Sequence, residues 1–196
     1  MINKTTALVI CVMVLLSCAA CRTVMQHGDN TPYPETSDIE IPEDFSFSIV
    51  WGTYGISSYD SQSGKLVKTK DATDVSKYTA YAKMSEDELQ TVYRYLFCDI
   101  DITKYPDSYD PFNAPDAKTK MMSVPNQTII ISAIANGRTK TVTCNAVAFG
   151  SLQDCYSDEA RAFLTAKEEI VNLITSLPEW EAFPEYEFFY ECVICD

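Results

Sequence analysis

Residues 127–147 read QTIIISAIANGRTKTVTCNAV, and this stretch decides the fold class. The segments QTIIISAI and TKTVTCNAV are predicted strands, and the residues between them, Ala135 to Arg138, centre on an Asn-Gly pair. Asn-Gly accepts the positive φ angles of a type I′ turn, so the two strands are predicted to form a tight hairpin. The hairpin indicates an antiparallel sheet.

Three further strands are predicted upstream of the hairpin. The segment FSFSIVW alternates large apolar residues with smaller or polar ones, which is the period of a half-buried strand. A turn over 61–64, SQSG, leads into a return strand that begins with LVKT. The segment KYTAYAKM, residues 77–84, is predicted to add a third strand. The residues that form the apolar face of the first strand are Phe45, Phe47, Ile49 and Trp51.

Two helices complete the predicted domain. Ser85 and Glu88 have the spacing of a capping box, and apolar residues follow at helical intervals from Leu89 to Phe97. A second helix is predicted from about Asp158 to Ser176, and Pro178 marks its end. The order β-β-β-α-β-β-α indicates an α+β domain: an antiparallel sheet of about five strands, covered on one face by two helices.

The first residues have the pattern of an export signal. Lys4 is a short positive region, and Ala7 to Leu16 is an apolar run of ten residues without charge. A membrane-spanning helix needs roughly 20 apolar residues, so this run is too short to remain as an anchor. Residues 1–17 are therefore predicted to be a signal peptide that is removed on export.

The residues after the apolar run, Leu15, Leu16, Ser17 and Cys18, resemble the lipobox of bacterial lipoproteins. The resemblance implies that a diacylglyceryl group is attached to the Cys18 thiol and that the chain is cleaved before Cys18. Cys21 fits the pattern less well, because a cysteine then occupies the position of the usual branched aliphatic residue three places earlier. The alternative interpretation is an ordinary signal peptide with incidental cysteines.

A tether is predicted between the lipid and the fold. Residues 18–43 carry the lipidated N-terminus and then prolines and polar residues without apolar periodicity. A flexible chain of some 25 residues has a root-mean-square reach of roughly 25–30 Å. Residues 44–196 are predicted to form a single domain, since about 150 residues suffice for one hydrophobic core.

The charge of the chain excludes some classes of partner. Lys4 is the one charged residue of the signal, so the remaining chain has 14 basic and 28 acidic residues. Nucleic-acid binding requires Lys and Arg to neutralise phosphates, and this chain is predicted not to bind nucleic acid. Membrane attachment is expected through the acyl chains, since the acidity disfavours adsorption to anionic lipid.

Six cysteines remain after the signal and the lipidated Cys18 are set aside. Export permits disulfides, and Cys144 with Cys155 is the favoured pair, although six cysteines allow fifteen connectivities. Cys192 and Cys195 have CxxC spacing. The predicted domain, residues 44–196, contains no second CxxC and no histidine, so neither a zinc site nor another cofactor is predicted. Nearby acids disfavour a redox thiolate there, and packing or pairing is the preferred interpretation.

Catalytic patterns are weak in this sequence. The single histidine, His27, falls in the tether, so a Ser-His-Asp or Cys-His machinery is not expected. Acidic residues are abundant, which leaves open a hydrolase with paired carboxylates. A loop rich in aspartate lacks the calcium spacing and is interpreted as a solvated connection. Its aspartates are Asp99, Asp101, Asp107, Asp110 and Asp116.

The sequence thus predicts a lipoprotein anchored on the exported side of a bacterial cell membrane or outer membrane. Its domain is expected to be a binding module for a protein or glycan partner and not an enzyme. The alternatives are the hydrolase of envelope polymers and a glycan-binding module. For the latter, aromatic residues near the first hairpin would stack on sugar rings: Trp51, Tyr54 and Tyr59.

Overall fold

The computed structural model describes residues 40–187, which form an α+β domain as predicted. One antiparallel sheet contains six strands in the order β4-β3-β2-β1-β5-β6. The strands are β1 (Ser46–Trp51), β2 (Ser57–Asp60), β3 (Lys65–Val67), β4 (Thr79–Tyr81), β5 (Gln127–Ala135) and β6 (Arg138–Val147). Strand β1 lies in the middle of the sheet, between β2 and β5.

The predicted hairpin is confirmed. Strands β5 and β6 pair from Ala135 opposite Arg138, and Asn136 and Gly137 have φ angles of +54° and +69°. The Asp44 carboxylate accepts hydrogen bonds from the N–H groups of these two turn residues, at 2.9 and 2.6 Å. The bond from Gly137, followed by that from Asn136, holds the pKa of Asp44 below its usual value. The start of the domain is thereby fastened to the hairpin turn.

The sheet has one strand more than the five predicted, because no signal in the sequence marks β2, which lies between the first predicted strand and the turn over 61–64. Its sequence, Ser-Ser-Tyr-Asp, has one apolar residue and no clear alternation. The strand is stabilised by its neighbours, since Tyr59 pairs with Ile49 of β1 on one side and Leu66 of β3 on the other. The Tyr59 ring is buried, and its hydroxyl donates to the Ala82 carbonyl at 3.1 Å.

Helix α1 (Glu86–Tyr93) begins at the predicted capping box. The Ser85 hydroxyl accepts from the Glu88 N–H at 3.3 Å, and the Glu88 carboxylate accepts from the Ser85 N–H at 2.7 Å. The helix then continues as a π-helical segment (Arg94–Asp99), which the sequence pattern did not predict. Val92 and Leu96 of this continuous element are buried in the core.

Helix α2 (Asp158–Thr175) also forms where it was predicted, with Ser157 as its N-cap. Phe163, Ala166 and Ile170 face the core and are buried. Three residues after the helix ends, Pro178 begins the short helix α3 (Pro178–Glu181), which was not predicted. Its Trp180 ring packs on Trp51 of β1, with ring centroids 5.6 Å apart.

The sheet has two different faces. Inward side chains of the central strands join the helices in one hydrophobic core, as the predicted two-layer arrangement requires. The opposite face is only half-buried and carries small polar residues, such as Ser132 and Thr141, whose hydroxyls lie 2.9 Å apart. Within residues 40–187, no helix is long and apolar enough to cross a membrane.

Two glycines in turns provide a matched test of the sheet. Gly64 and Gly137 have φ angles of +71° and +69°, so alanine at either position costs about 1–2 kcal/mol of strain. An added methyl at Gly137 meets nothing within 4 Å, whereas at Gly64 it would lie 2.8 Å from the Ala82 carbonyl oxygen. That carbonyl cannot shift cheaply, because Ala82 donates its N–H to Gly64 at 2.8 Å.

We therefore expect Gly64→Ala to lower the free energy of unfolding by about 1–2 kcal/mol more than Gly137→Ala, within the range that overpacking costs. Chemical denaturation of both variants measures the difference. Equal losses would show that the β2–β3 turn and the residue that follows β4 move apart around the added methyl.

Candidate interaction surface

Several residues singled out in the sequence lie outside the described residues. The lipobox with Cys18, the weaker alternative Cys21, the tether histidine His27 and the CxxC pair Cys192 and Cys195 all fall before residue 40 or after residue 187. The lipid attachment therefore stays a prediction.

Cys144 and Cys155 are described, and both are buried free thiols. The bridge predicted between them is not formed in the structure. Cys144 lies on the inward face of β6, where burial raises the pKa of its thiol to about 12. Burial also raises the pKa of Cys155. Both side chains pack in the core in the way that small apolar residues do, and neither has the lowered pKa of a reactive cysteine.

The aromatic residues considered for sugar stacking are mostly packing residues. Trp51 and Tyr59 are buried, and Trp180 covers Trp51. Of the three aromatic residues named near the first hairpin, Tyr54 alone is exposed, at 39%. The structure therefore does not present the first-hairpin aromatics as an open platform.

The aspartates of the aspartate-rich loop make separate local contacts. Asp101 accepts from the Thr103 hydroxyl at 2.5 Å, which is the main cause of the lowered pKa of Asp101. Asp107 pairs with Lys140 at 2.7 Å. Within residues 40–187, no group of three or more acidic, histidine or cysteine side chains is placed to hold a metal ion.

Among residues 40–187, four carboxylates have clearly lowered pKa values, which bears on the hydrolase hypothesis. In each case the main cause is a hydrogen bond donated by a neighbouring hydroxyl or backbone N–H. A general acid in a glycosidase pair needs the opposite shift, since it must keep its proton near neutral pH. These four groups therefore do not suit that role: Asp44, Asp74, Asp101 and Asp154.

The most distinctive surface is an exposed apolar cluster, which we call the methionine patch: Met121, Met122, Val124 and Phe149. Met122 and Val124 are 81% and 77% exposed, and Met121 and Phe149 are 37% and 40% exposed. Large apolar side chains with such exposure on neighbouring segments are characteristic of interaction sites. Lys118 and Lys120 precede the patch and are also exposed.

Hydrogen bonds hold the two segments of the patch together. The Phe149 N–H donates to the Ser123 hydroxyl at 3.0 Å, and this hydroxyl donates to the Pro125 carbonyl at 2.8 Å. A methyl group added at Gly150 would lie 3.1 Å from the terminal carbon of Met121, so Met121 also lies against this second segment. The two segments that carry the four exposed side chains are therefore adjacent at the surface.

A buried polar residue fixes the start of the patch. The Asn113 side chain accepts from the Met121 N–H at 2.6 Å and donates to the Met121 carbonyl at 3.0 Å. It also donates to the Asp110 carboxylate at 2.8 Å, and Asp110 accepts from the backbone N–H groups of Phe112 and Asn113. The backbone of the patch is thus held in place while its side chains face water.

The patch lies at one end of the sheet, where β5 begins and β6 ends. Asp44, where the chain enters the domain, is bound to the hairpin turn at the other end of the same two strands. The nine residues of β5 span about 30 Å at 3.4 Å per residue. The patch and the entry point of the chain are therefore on opposite ends of the domain.

The sequence pattern does not predict this patch. Two consecutive methionines in a polar loop, preceded by Lys-Thr-Lys, were the available signal. Apolar residues in a loop can equally turn inward. The arrangement here depends on the contact of Asn113 with Met121 and on that of Ser123 with Phe149, which is 26 residues further along the chain. Comparison of the chain with protein-family models and with curated proteins finds no match.

Proposed function

We propose that this chain is a lipid-anchored protein of the bacterial envelope that binds a protein partner through the methionine patch. Residues 1–17 are the signal peptide, Cys18 carries the lipid, and residues 18–43 are the tether. The observation that carries the binding role is the exposed patch on a backbone held by Asn113 and Ser123. The domain is a binding module and has no enzymatic role in this proposal.

The energetics of the patch favour association. Full burial of a methionine or valine side chain contributes about 1.5–3 kcal/mol. Met122 and Val124 have most of their surface still in water. Because the backbone beneath them is already fixed, a partner would not have to order this loop. The methionines can adapt to the shape of an apolar partner surface.

The position of the patch favours a partner away from the anchor. The tether reaches the domain beside Asp44, at the end of the sheet remote from the patch. A protein in the surrounding compartment can therefore reach Met122 and Val124 without displacing the tether.

The test uses the lipid-anchored protein as bait for cross-linking in native membranes. We expect the double variant Met122→Asp, Val124→Asp to recover at least tenfold less of the partner captured by the wild type. A loss of this size is expected if the two substitutions lower the binding free energy by about 2 kcal/mol, as changes at a central contact do. The matched control is Tyr81→Asp, since Tyr81 is 70% exposed on β4, the edge strand farthest from β6.

The control variant should capture the partner as the wild type does. Equal recovery by the double variant, or an equal loss with Tyr81→Asp, would contradict a binding role for the methionine patch.

A further inference from the structure

A cavity of about 470 Å³ lies beneath the hairpin turn, between the turn ends of β5 and β6 and the helical element that contains α1. We call it the hairpin pocket. Two small inward residues of β5, Ala133 and Ala135, leave this space where larger side chains would fill it. The volume is within the range of sites for small molecules.

One wall of the hairpin pocket is aromatic. Tyr93 and Phe97 lie one turn apart where α1 passes into the π-helical segment, and both line the cavity. Their rings stack with centroids 5.0 Å apart and an angle of 25°. Phe45 meets both rings edge-on, at 5.1 and 6.2 Å, and so fixes their orientation. Departures from α-helical geometry of this kind are frequent at functional sites.

The opposite wall carries two cations. Arg138 and Lys140 line the pocket from alternate positions of β6, opposite Ala135 and Ala133, so both project from the helix-covered face of the sheet. Alternate residues of a strand are about 7 Å apart. Two basic residues thus converge on one cavity in a chain with 28 acidic and 15 basic residues.

The two cations differ in their partners. The Lys140 ammonium is paired with Asp107 at 2.7 Å. Arg138 is exposed and forms no ion pair with any carboxylate within residues 40–187. Its guanidinium donors are therefore available to a ligand of the pocket.

We propose that the hairpin pocket binds a small organic anion, in which a carboxylate is carried on a ring. The Arg138 guanidinium has the planar fork that binds a carboxylate through two parallel hydrogen bonds. Tyr93 and Phe97 provide an apolar wall for the ring that carries the carboxylate. An aromatic acid and a carboxylated sugar share this chemistry. The site is separate from the methionine patch and does not depend on the proposed partner binding.

The test is calorimetric titration of the full chain, purified in detergent, with phenylacetate and with glucuronate. Phenylacetamide and glucose are the matched neutral probes, in which the carboxylate is absent. We expect at least one of the two anions to bind and both neutral probes to fail. Binding of phenylacetate alone assigns the site to aromatic acids, and binding of glucuronate alone assigns it to acidic sugars.

The variant Arg138→Gln is expected to weaken anion binding at least tenfold, because it removes a charge-assisted hydrogen-bond donor from an exposed position without a structural contact. The control is Arg161→Gln on α2, whose guanidinium pairs with Asp158 at 2.6 Å outside this pocket. It should bind as the wild type does. Failure of both anions at millimolar concentration, equal binding of the neutral probes, or an unchanged affinity in Arg138→Gln would overturn the proposal.

Discussion

Phe163→Ala is expected to lower the free energy of unfolding by about 3–5 kcal/mol, the usual cost of removing a buried phenylalanine ring. Phe163 is fully buried on α2. Its ring packs against those of Tyr105 and Tyr109, with centroids 5.2 and 5.3 Å away. Tyr105 cannot readily collapse into the cavity, because its hydroxyl donates to the Glu159 carbonyl at 2.9 Å.

The matched control is Phe149→Ala, the same substitution in the methionine patch. Phe149 is 40% exposed, so its loss should cost far less than that of Phe163. Denaturant titration followed by circular dichroism measures both. Similar losses for the two variants would mean that α2 does not rest on the aromatic cluster in the way described here.

Cys18→Ala is expected to move essentially all of the protein out of the membrane fraction, or to leave it as unprocessed precursor. The proposed diacylglyceryl group supplies two acyl chains, and each buried CH₂ contributes about 0.8 kcal/mol. One chain binds a bilayer only marginally, whereas two hold a protein stably. Loss of the single attachment point therefore removes the whole anchor.

The control for this experiment is Cys21→Ala, which should leave lipid and membrane fractionation unchanged. Mass spectrometry of the mature N-terminal peptide identifies the modified residue. Lipid on Cys21, or an unmodified peptide that begins elsewhere, would be incompatible with the proposed anchor.

The sequence predicted those elements whose signals are local. The Asn136-Gly137 turn, the capping box at Ser85 and the helical spacing within 158–175 each depend on residues a few positions apart, and the structure confirms all three. Strand β2 has no such signal. It forms because β1 and β3 pair with it on both sides, which a linear pattern of four residues does not reveal.

The two candidate sites could not be predicted from the sequence, for a related reason. The hairpin pocket is lined by both Tyr93 of α1 and Arg138 of β6, which are 45 positions apart in the sequence. The methionine patch needs Asn113 to hold Met121 and Ser123 to hold Phe149. In both sites the residue types were visible in the sequence. Their juxtaposition depends on the fold.

The entry of the chain beside β1 has a mechanical consequence for an anchored protein. In a chain anchored as proposed, drag on the domain would be transmitted through residues 18–43 to the start of β1, which lies between β2 and β5. A pull along β1 loads its cross-strand hydrogen bonds on both sides together, in shear, whereas an edge strand pulled sideways would peel away one bond at a time. The bonds from Asp44 to the hairpin turn share part of that load with β5 and β6. In a chain anchored as proposed, the pull would thus act on a central strand of the sheet and not on an edge strand.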